Sequence, residues 1–311
     1  MPRPPGILPI SLGLAGLAAS SALLYAGTPW MATFFYLCAW SSYLVVIHGL
    51  NLRWLGDSHG PGTTAEHFRC AWISVPWWLF FELLNARLQN WAYDGLPAAR
   101  AIRWGGYAIA FSTVLPAILE TASAIQKWLG REKTSAPRLR IGPGRLKAAT
   151  LLGWMFLLIP LVWPRYFFPL IWVAVFLLTE PWLIRNAPES SWLFLFSQGR
   201  PNRMYSLLLS GAVCGVLWES LNFWAGARWV YTIPWPQEPK LFEMPWLGYL
   251  GFPPFALECA SFYSFFKHAW KKSSRVNRVL FSISIAIFCL GVFFIIDRWT
   301  LRSTLPLGPF K

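Results

Sequence analysis

The sequence predicts an all-α fold, a polytopic transmembrane helical bundle of about nine spans, and three observations carry that expectation. Of 311 residues, 56% are apolar and only 13% are charged, against roughly 25% charged in an average soluble domain. Several runs approach 20 residues with few or no charges, about what a bilayer crossing requires. The formal charge of +14 would suggest nucleic acid in a soluble protein, but here the basic residues collect between the apolar runs. A nucleic-acid partner is therefore not expected.

The spans are read at 7–27, 30–50, 70–92, 104–127, 146–162, 167–184, 204–227, 246–268 and 279–297. The first follows Arg3 and resembles a signal peptide, but its apolar run is long and no A-x-A cleavage site follows. A retained anchor is expected. The stretch 191–196, SWLFLF, follows Pro188 and is too short to cross, which suggests a re-entrant or interfacial segment. Five cysteines (Cys38, Cys70, Cys214, Cys259 and Cys289) stand singly in or beside apolar runs. Their spacing fits no zinc or redox motif, and packing is the expected role.

Lys and Arg set the orientation. The N-terminus and the loops after even-numbered spans carry 18 basic residues, while the opposite loops and the C-terminal tail carry seven. The positive-inside rule then places the N-terminus inside and the C-terminus outside, in what is read as a bacterial inner (cytoplasmic) membrane.

The chain also repeats itself. Residues 80–97 read FFELLNARLQNWAYDGLP and 217–235 read LWESLNFWAGARWVYTIPW. Glu82 matches Glu219, Asn85 matches Asn222, Trp91 matches Trp229 and Tyr93 matches Tyr231. Farther on, Trp104-Gly105-Gly106-Tyr107 matches Trp246-Leu247-Gly248-Tyr249, and PAILETAS (116–123) matches PFALECAS (254–261) at five of eight positions. A repeat of four spans leaves both copies in the same orientation, the parallel type of internal symmetry. The expected organisation is a first four-helix repeat over 1–129, a basic linker over 130–145, a second repeat over 146–270, and a loop, ninth helix and tail over 271–311.

Five of the 13 acids (Glu82, Glu120, Glu180, Glu219 and Glu258) fall inside apolar spans, with Asp297 at an edge. Intramembrane carboxyls are costly and mark functional sites by default. Four of the five belong to the repeat. Residues at i and i+3 share a helix face, so Glu82 with Asn85 forms one polar stripe, extended by Gln89, and Glu219 with Asn222 forms the other. Glu120 with Ser123 and Glu258 with Ser261 repeat the spacing. Pro116 and Pro254, each four residues before a Glu, are expected to kink their spans and open space there.

The stripes are expected to meet in an interior cavity, with Glu82 and Glu219 as acid/base candidates, Asn85 and Asn222 orienting them, and Glu120 and Glu258 completing the wall. A desolvated carboxyl favours its neutral form, which can donate a proton. The competing reading is a set of helix-locking hydrogen bonds. Arg87 and Arg228 are expected to snorkel. Trp91, Tyr93, Trp229 and Tyr231 suit an interfacial aromatic belt. The loop 51–69 contains Asp57, His59, Glu66 and His67, but in no metal-binding spacing, while His48 and His268 stand alone. No metal and no cofactor are expected.

The wording FELLN, WESLN and GYLGFPPFALE resembles that of uncharacterised bacterial polytopic integral membrane proteins. The architecture also resembles that of membrane-embedded carotenoid and terpene cyclases, which implies an isoprenoid substrate and intramembrane acidic residues. The acidic motifs do not match residue by residue, so no catalytic role carries over. Three functions follow as expectations. One is an enzyme acting on a lipid or isoprenoid by carboxylic acid/base chemistry. The others are a proton-coupled transporter or flippase, and a non-enzymatic scaffold or accessory subunit.

Overall fold

The computed structural model describes residues 6–55, 64–130 and 141–306. The helices in order are α1 (Ile7–Tyr25), α2 (Pro29–Leu55), α3 (Thr64–Leu88), α4 (Arg100–Ser112), α5 (Val114–Leu129), α6 (Pro143–Val162), α7 (Pro164–Phe167), α8 (Ile171–Asn186), α9 (Trp192–Ser197), α10 (Asn202–Trp224), α11 (Phe252–Lys272) and α12 (Arg275–Trp299). Among the described residues, seven stretches are long and apolar enough to cross a membrane, with α4 and α5 counted as one and α7 joined to α8. The fold is thus mainly helical and of integral-membrane type. Most of the expected linker and the whole expected loop segment 56–63, with Asp57 and His59, lie outside the described residues.

The most polar long helices are the central ones. α10 packs on α5 and α11, α11 packs on α8, and α3 lies among α4, α5 and α12. Phe81, Leu115, Ile118, Leu207 and Phe255 are fully buried there. α1, α6 and α12 expose Leu, Ile and Phe side chains along their outer faces, as lipid-facing helices do. A central helix needs no apolar outer face, which is why polar residues collect on α3 and α11.

One expectation is corrected. Pro116 and Pro254 do not kink their helices: each is the third residue of one, α5 or α11. In the first turn a proline's missing N–H has no helical partner to lose. The run 104–127 is instead interrupted at Thr113, whose Oγ1 accepts from Trp40 Nε1 at 3.0 Å. Pro76, Pro160 and Pro181 are the prolines inside helices. The segment 191–196 forms a capped turn, α9, seated on the buried Glu180. That carboxylate accepts from Ser191 Oγ at 2.5 Å, Leu193 N at 2.9 Å and Ser261 Oγ at 2.6 Å.

Short strands, not expected from the hydropathy pattern, close one end of the bundle. They are β1 (Trp91–Asp94), β2 (Leu96–Pro97), β3 (Arg228–Tyr231), β4 (Lys240–Leu241), β5 (Met244–Pro245) and β6 (Thr304–Leu305). β1 and β3 pair antiparallel, setting Trp91 opposite Tyr231 and Tyr93 opposite Trp229. On the other edge of β1, Tyr93 N donates to Thr300 O and Arg302 N donates to Tyr93 O, both at 2.8 Å. β2 and β6 continue that edge as a parallel pair. The chain beyond α12 is therefore woven into the first half of the molecule.

Close approach of α10 and α11 depends on Gly211 and Gly215. A Cβ at Gly211 would overlap the Phe252 carbonyl oxygen, and one at Gly215 would overlap the Phe252 ring. A backbone oxygen cannot swing aside, so Gly211→Ala is expected to destabilise by about 1–3 kcal/mol, as overpacking does. Val213→Ala, at a more exposed position on the same helix, is the control. Thermal unfolding of the two variants in detergent checks the difference.

Candidate functional site

Each of the two matched Glu-x-x-Asn stretches folds into a bracket that joins the end of a helix to the strand after it. In the first copy, Asn85 Nδ2 donates to Trp91 O at 2.8 Å, and Asn85 Oδ1 accepts from Asn90 N at 2.8 Å and Trp91 N at 3.3 Å. The strand so held returns its side chains to the helix. Glu82 Oε1 accepts from Tyr93 Oη at 2.6 Å, Trp91 Nε1 at 3.0 Å and Trp78 Nε1 at 2.8 Å.

The second copy repeats the geometry. Asn222 Nδ2 donates to Trp229 O at 2.8 Å, and its Oδ1 accepts from Trp229 N at 2.9 Å. Glu219 Oε1 accepts from Tyr231 Oη at 2.7 Å and Trp229 Nε1 at 3.4 Å. In both copies Oε2 is buried with no hydrogen-bond partner among the described residues. Burial, and then the facing carboxyl, push the Tyr93 and Tyr231 phenols well above their ordinary range, so both remain donors.

This arrangement changes two assignments. Asn85 and Asn222 do not orient the glutamates; they staple backbone, and the Trp and Tyr side chains hold the carboxyls. Trp91, Tyr93, Trp229 and Tyr231 are therefore partners of the acids and not a simple interfacial belt. Gln89 leaves the polar stripe: it ends the helix with φ 54° and donates to the Ala86 carbonyl at 3.0 Å.

Beside the brackets lies a cavity of about 200 Å³. Its walls are rich in aromatic side chains, with Trp78, Trp91, Tyr107, Trp172, Trp218 and Phe255 among the lining residues. Thr33, Asn90, Arg103, Glu219 and Arg228 bring polar groups to it. Asn90 is 2% exposed, and neither Nδ2 nor Oδ1 of its side chain has a hydrogen-bond partner among the described residues. Glu82 is not on the wall, but Trp78, Trp91 and Tyr93, which bind it, are.

Glu120 and Glu258 do not complete this wall. Glu258 Oε1 accepts from Val175 N at 2.7 Å on α8, and the Ser261 hydroxyl that shares its helix face serves Glu180 instead. Glu120 faces α2 and α3. His67 Nε2 lies 2.7 Å from its Oε1 and His48 Nδ1 lies 3.3 Å from the same atom. Asn51 Nδ2 donates to its Oε2 and, at 2.9 Å, to its backbone carbonyl. Glu66 pairs with Lys267 at 3.3 Å.

Of the six candidate site residues only Glu219 therefore borders the cavity. Asn90 escaped the sequence reading because it has no counterpart in the second stretch, where Arg228 precedes the matched Trp229. Arg228 lies 3.4 Å from Glu243, a partner more specific than a headgroup. Asp297 anchors a buried cluster that reaches the cavity through Arg103 and Tyr107: it accepts from Arg103 Nε at 2.9 Å and Nη2 at 2.6 Å, from Trp104 Nε1 at 3.0 Å and from Tyr107 Oη at 3.2 Å. Comparison of the chain with family models, curated proteins and solved structures returns no match.

Proposed function

We propose that the protein takes a membrane-soluble molecule, a lipid or isoprenoid, into the aromatic cavity, and that Glu219 performs acid/base chemistry on it. One observation carries the reading. Of the polar side chains on a largely apolar wall, Arg103 and Arg228 are paired with Asp297 and Glu243, whereas the buried Asn90 and Glu219 hold hydrogen-bonding atoms with no partner among the described residues. A buried polar atom without a partner costs about 1–3 kcal/mol. A ligand with an apolar body and one polar end relieves that cost at both residues. The Glu219 carboxyl would give a proton to an alkene carbon or departing oxygen and recover one as product forms. Ring faces on the wall would stabilise positive charge developing between those events.

The matched brackets support a duplicated origin, with two parallel repeats meeting at the β1–β3 ribbon. α3 and α11 complete a count of nine spans. Their 25 and 21 residues reach about 37 and 31 Å at 1.5 Å per residue, enough for a hydrocarbon core of about 30 Å. The Lys and Arg asymmetry supports an N-terminus inside, and with that orientation the cavity lies toward the outer face. A locking role fits Glu82, which touches the cavity only through the side chains it holds.

Glu219→Gln keeps the shape of the site and removes its proton chemistry. The expected result is a protein that assembles normally and still carries its apolar ligand through purification, detected by mass spectrometry of extracted lipids. Cells expressing only this variant should accumulate an apolar precursor. Asn90→Ala should lose the ligand itself. Normal lipid profiles in both strains would overturn the acid/base reading, and a flux defect without any new chemical species would favour transport.

A further inference from the structure

At the opposite end of α3 from the cavity, three helices bring together donors with no part in the function proposed above. His48 lies on α2, His67 in the first turn of α3 and Glu120 on α5. Their donor atoms all lie within 4.8 Å of one another. Both imidazoles converge on the same carboxylate oxygen, and their rings stand 5.0 Å apart at 85°. Perpendicular rings let two ring nitrogens aim at one point without clashing. We infer that His48, His67 and Glu120 form a binding site for a divalent first-row transition ion of the zinc class.

The donor chemistry selects the ion. Two imidazoles with one carboxylate suit zinc or iron, whereas calcium and magnesium prefer oxygen-only shells. Donors bound at 2.0–2.2 Å in a tetrahedron sit about 3.4 Å apart. The His48–Glu120 separation of 3.3 Å already matches. The His67–Glu120 separation of 2.7 Å is a direct hydrogen bond that must lengthen slightly to admit an ion.

The surroundings agree. The Glu120 side chain is 3% exposed, but those of His48 and His67 are 37% and 26% exposed, so the histidines are not sealed inside the bundle. Metal sites commonly fix a ligating group through a supporting hydrogen bond. Asn51, fully buried one turn after His48, does this for the remaining oxygen of Glu120. The other half of the molecule provides a contrast. Its matching acid, Glu258, is bound by backbone amide with no histidine, so locking that helix requires neither imidazole.

The test uses the full-length protein in detergent, stripped with a chelator and titrated with Zn²⁺ and, separately, Co²⁺. The expected result is one equivalent of zinc per chain, a rise in unfolding temperature on loading, and visible absorption from Co²⁺ in a low-symmetry site. His67→Ala and Glu120→Gln should weaken binding by more than roughly 100-fold, beyond the 10–100-fold expected for loss of a supporting group in Asn51→Ala. His268→Ala, outside the cluster, should bind as wild type. Equal zinc uptake by wild type and the His48→Ala/His67→Ala double variant would overturn the inference, as would equal loss in His268→Ala. If Glu120→Gln fails to assemble, His48→Ala and the wild-type Co²⁺ spectrum decide.

Discussion

Replacing Asp297 with Ala is expected to destabilise the protein by about 3–5 kcal/mol, the loss typical when one member of a buried ion pair is removed. Arg103 and Asp297 expose only 7% and 11% of their side chains, so neither charge can recover its hydration by a small movement. Arg103 Nη1 also donates to Pro97 O at 2.6 Å and Ala98 O at 3.0 Å. Every arm of the guanidinium is thus occupied, and removing the carboxylate strands it. Asp297→Asn, which keeps the shape and one acceptor, should fall between wild type and Asp297→Ala. Thermal unfolding in detergent reads the series. An Asp297→Ala protein as stable as wild type would mean that the pair is screened and does not hold α12 in place.

The second large effect is expected at Asn85. Its side chain serves three backbone groups, and each one left buried without a partner costs about 1–3 kcal/mol. Asn85→Ala should therefore lose about 3 kcal/mol or more. Asn222→Ala should lose less, because Asn222 holds only two such groups. Asn85→Asp keeps the acceptor and should fall between Ala and wild type. Proteolysis within 89–97 gives a second readout, since freeing β1 exposes its backbone. If Asn85→Ala left stability unchanged and altered only lipid chemistry, Asn85 would be acting on Glu82 and not on the strand.

These residues show what the sequence made legible and what it hid. The helices were visible because apolar runs of bilayer length have few alternatives. The matched Glu, Asn, Trp and Tyr were visible as identities in the same order, with one extra residue between Asn and Trp in the second stretch. Their pairing was not, because helical periodicity places Glu82 and Asn85 on one face and suggests that they meet. The strand after Leu88 breaks that inference by folding Trp91 and Tyr93 back onto the carboxyl. β1 to β3 pairing joins segments well over a hundred residues apart, and no local pattern announces it. The His48, His67 and Glu120 cluster was hidden for the same reason. His48 and His67 are 19 positions apart, in no metal-binding spacing, and the third donor comes from a distant helix.

The tail beyond α12 has a consequence for how the protein is made. All the residues on the cavity wall precede α12, so a ribosome that has reached residue 274 has already delivered them. Yet β1 must then wait for residues 300–305 before its free edge is paired, and Arg103 must wait for Asp297. Until those residues arrive the nascent chain carries an unpaired strand edge and an uncompensated cation. Chains truncated before α12 are therefore expected to be degraded faster than the full chain.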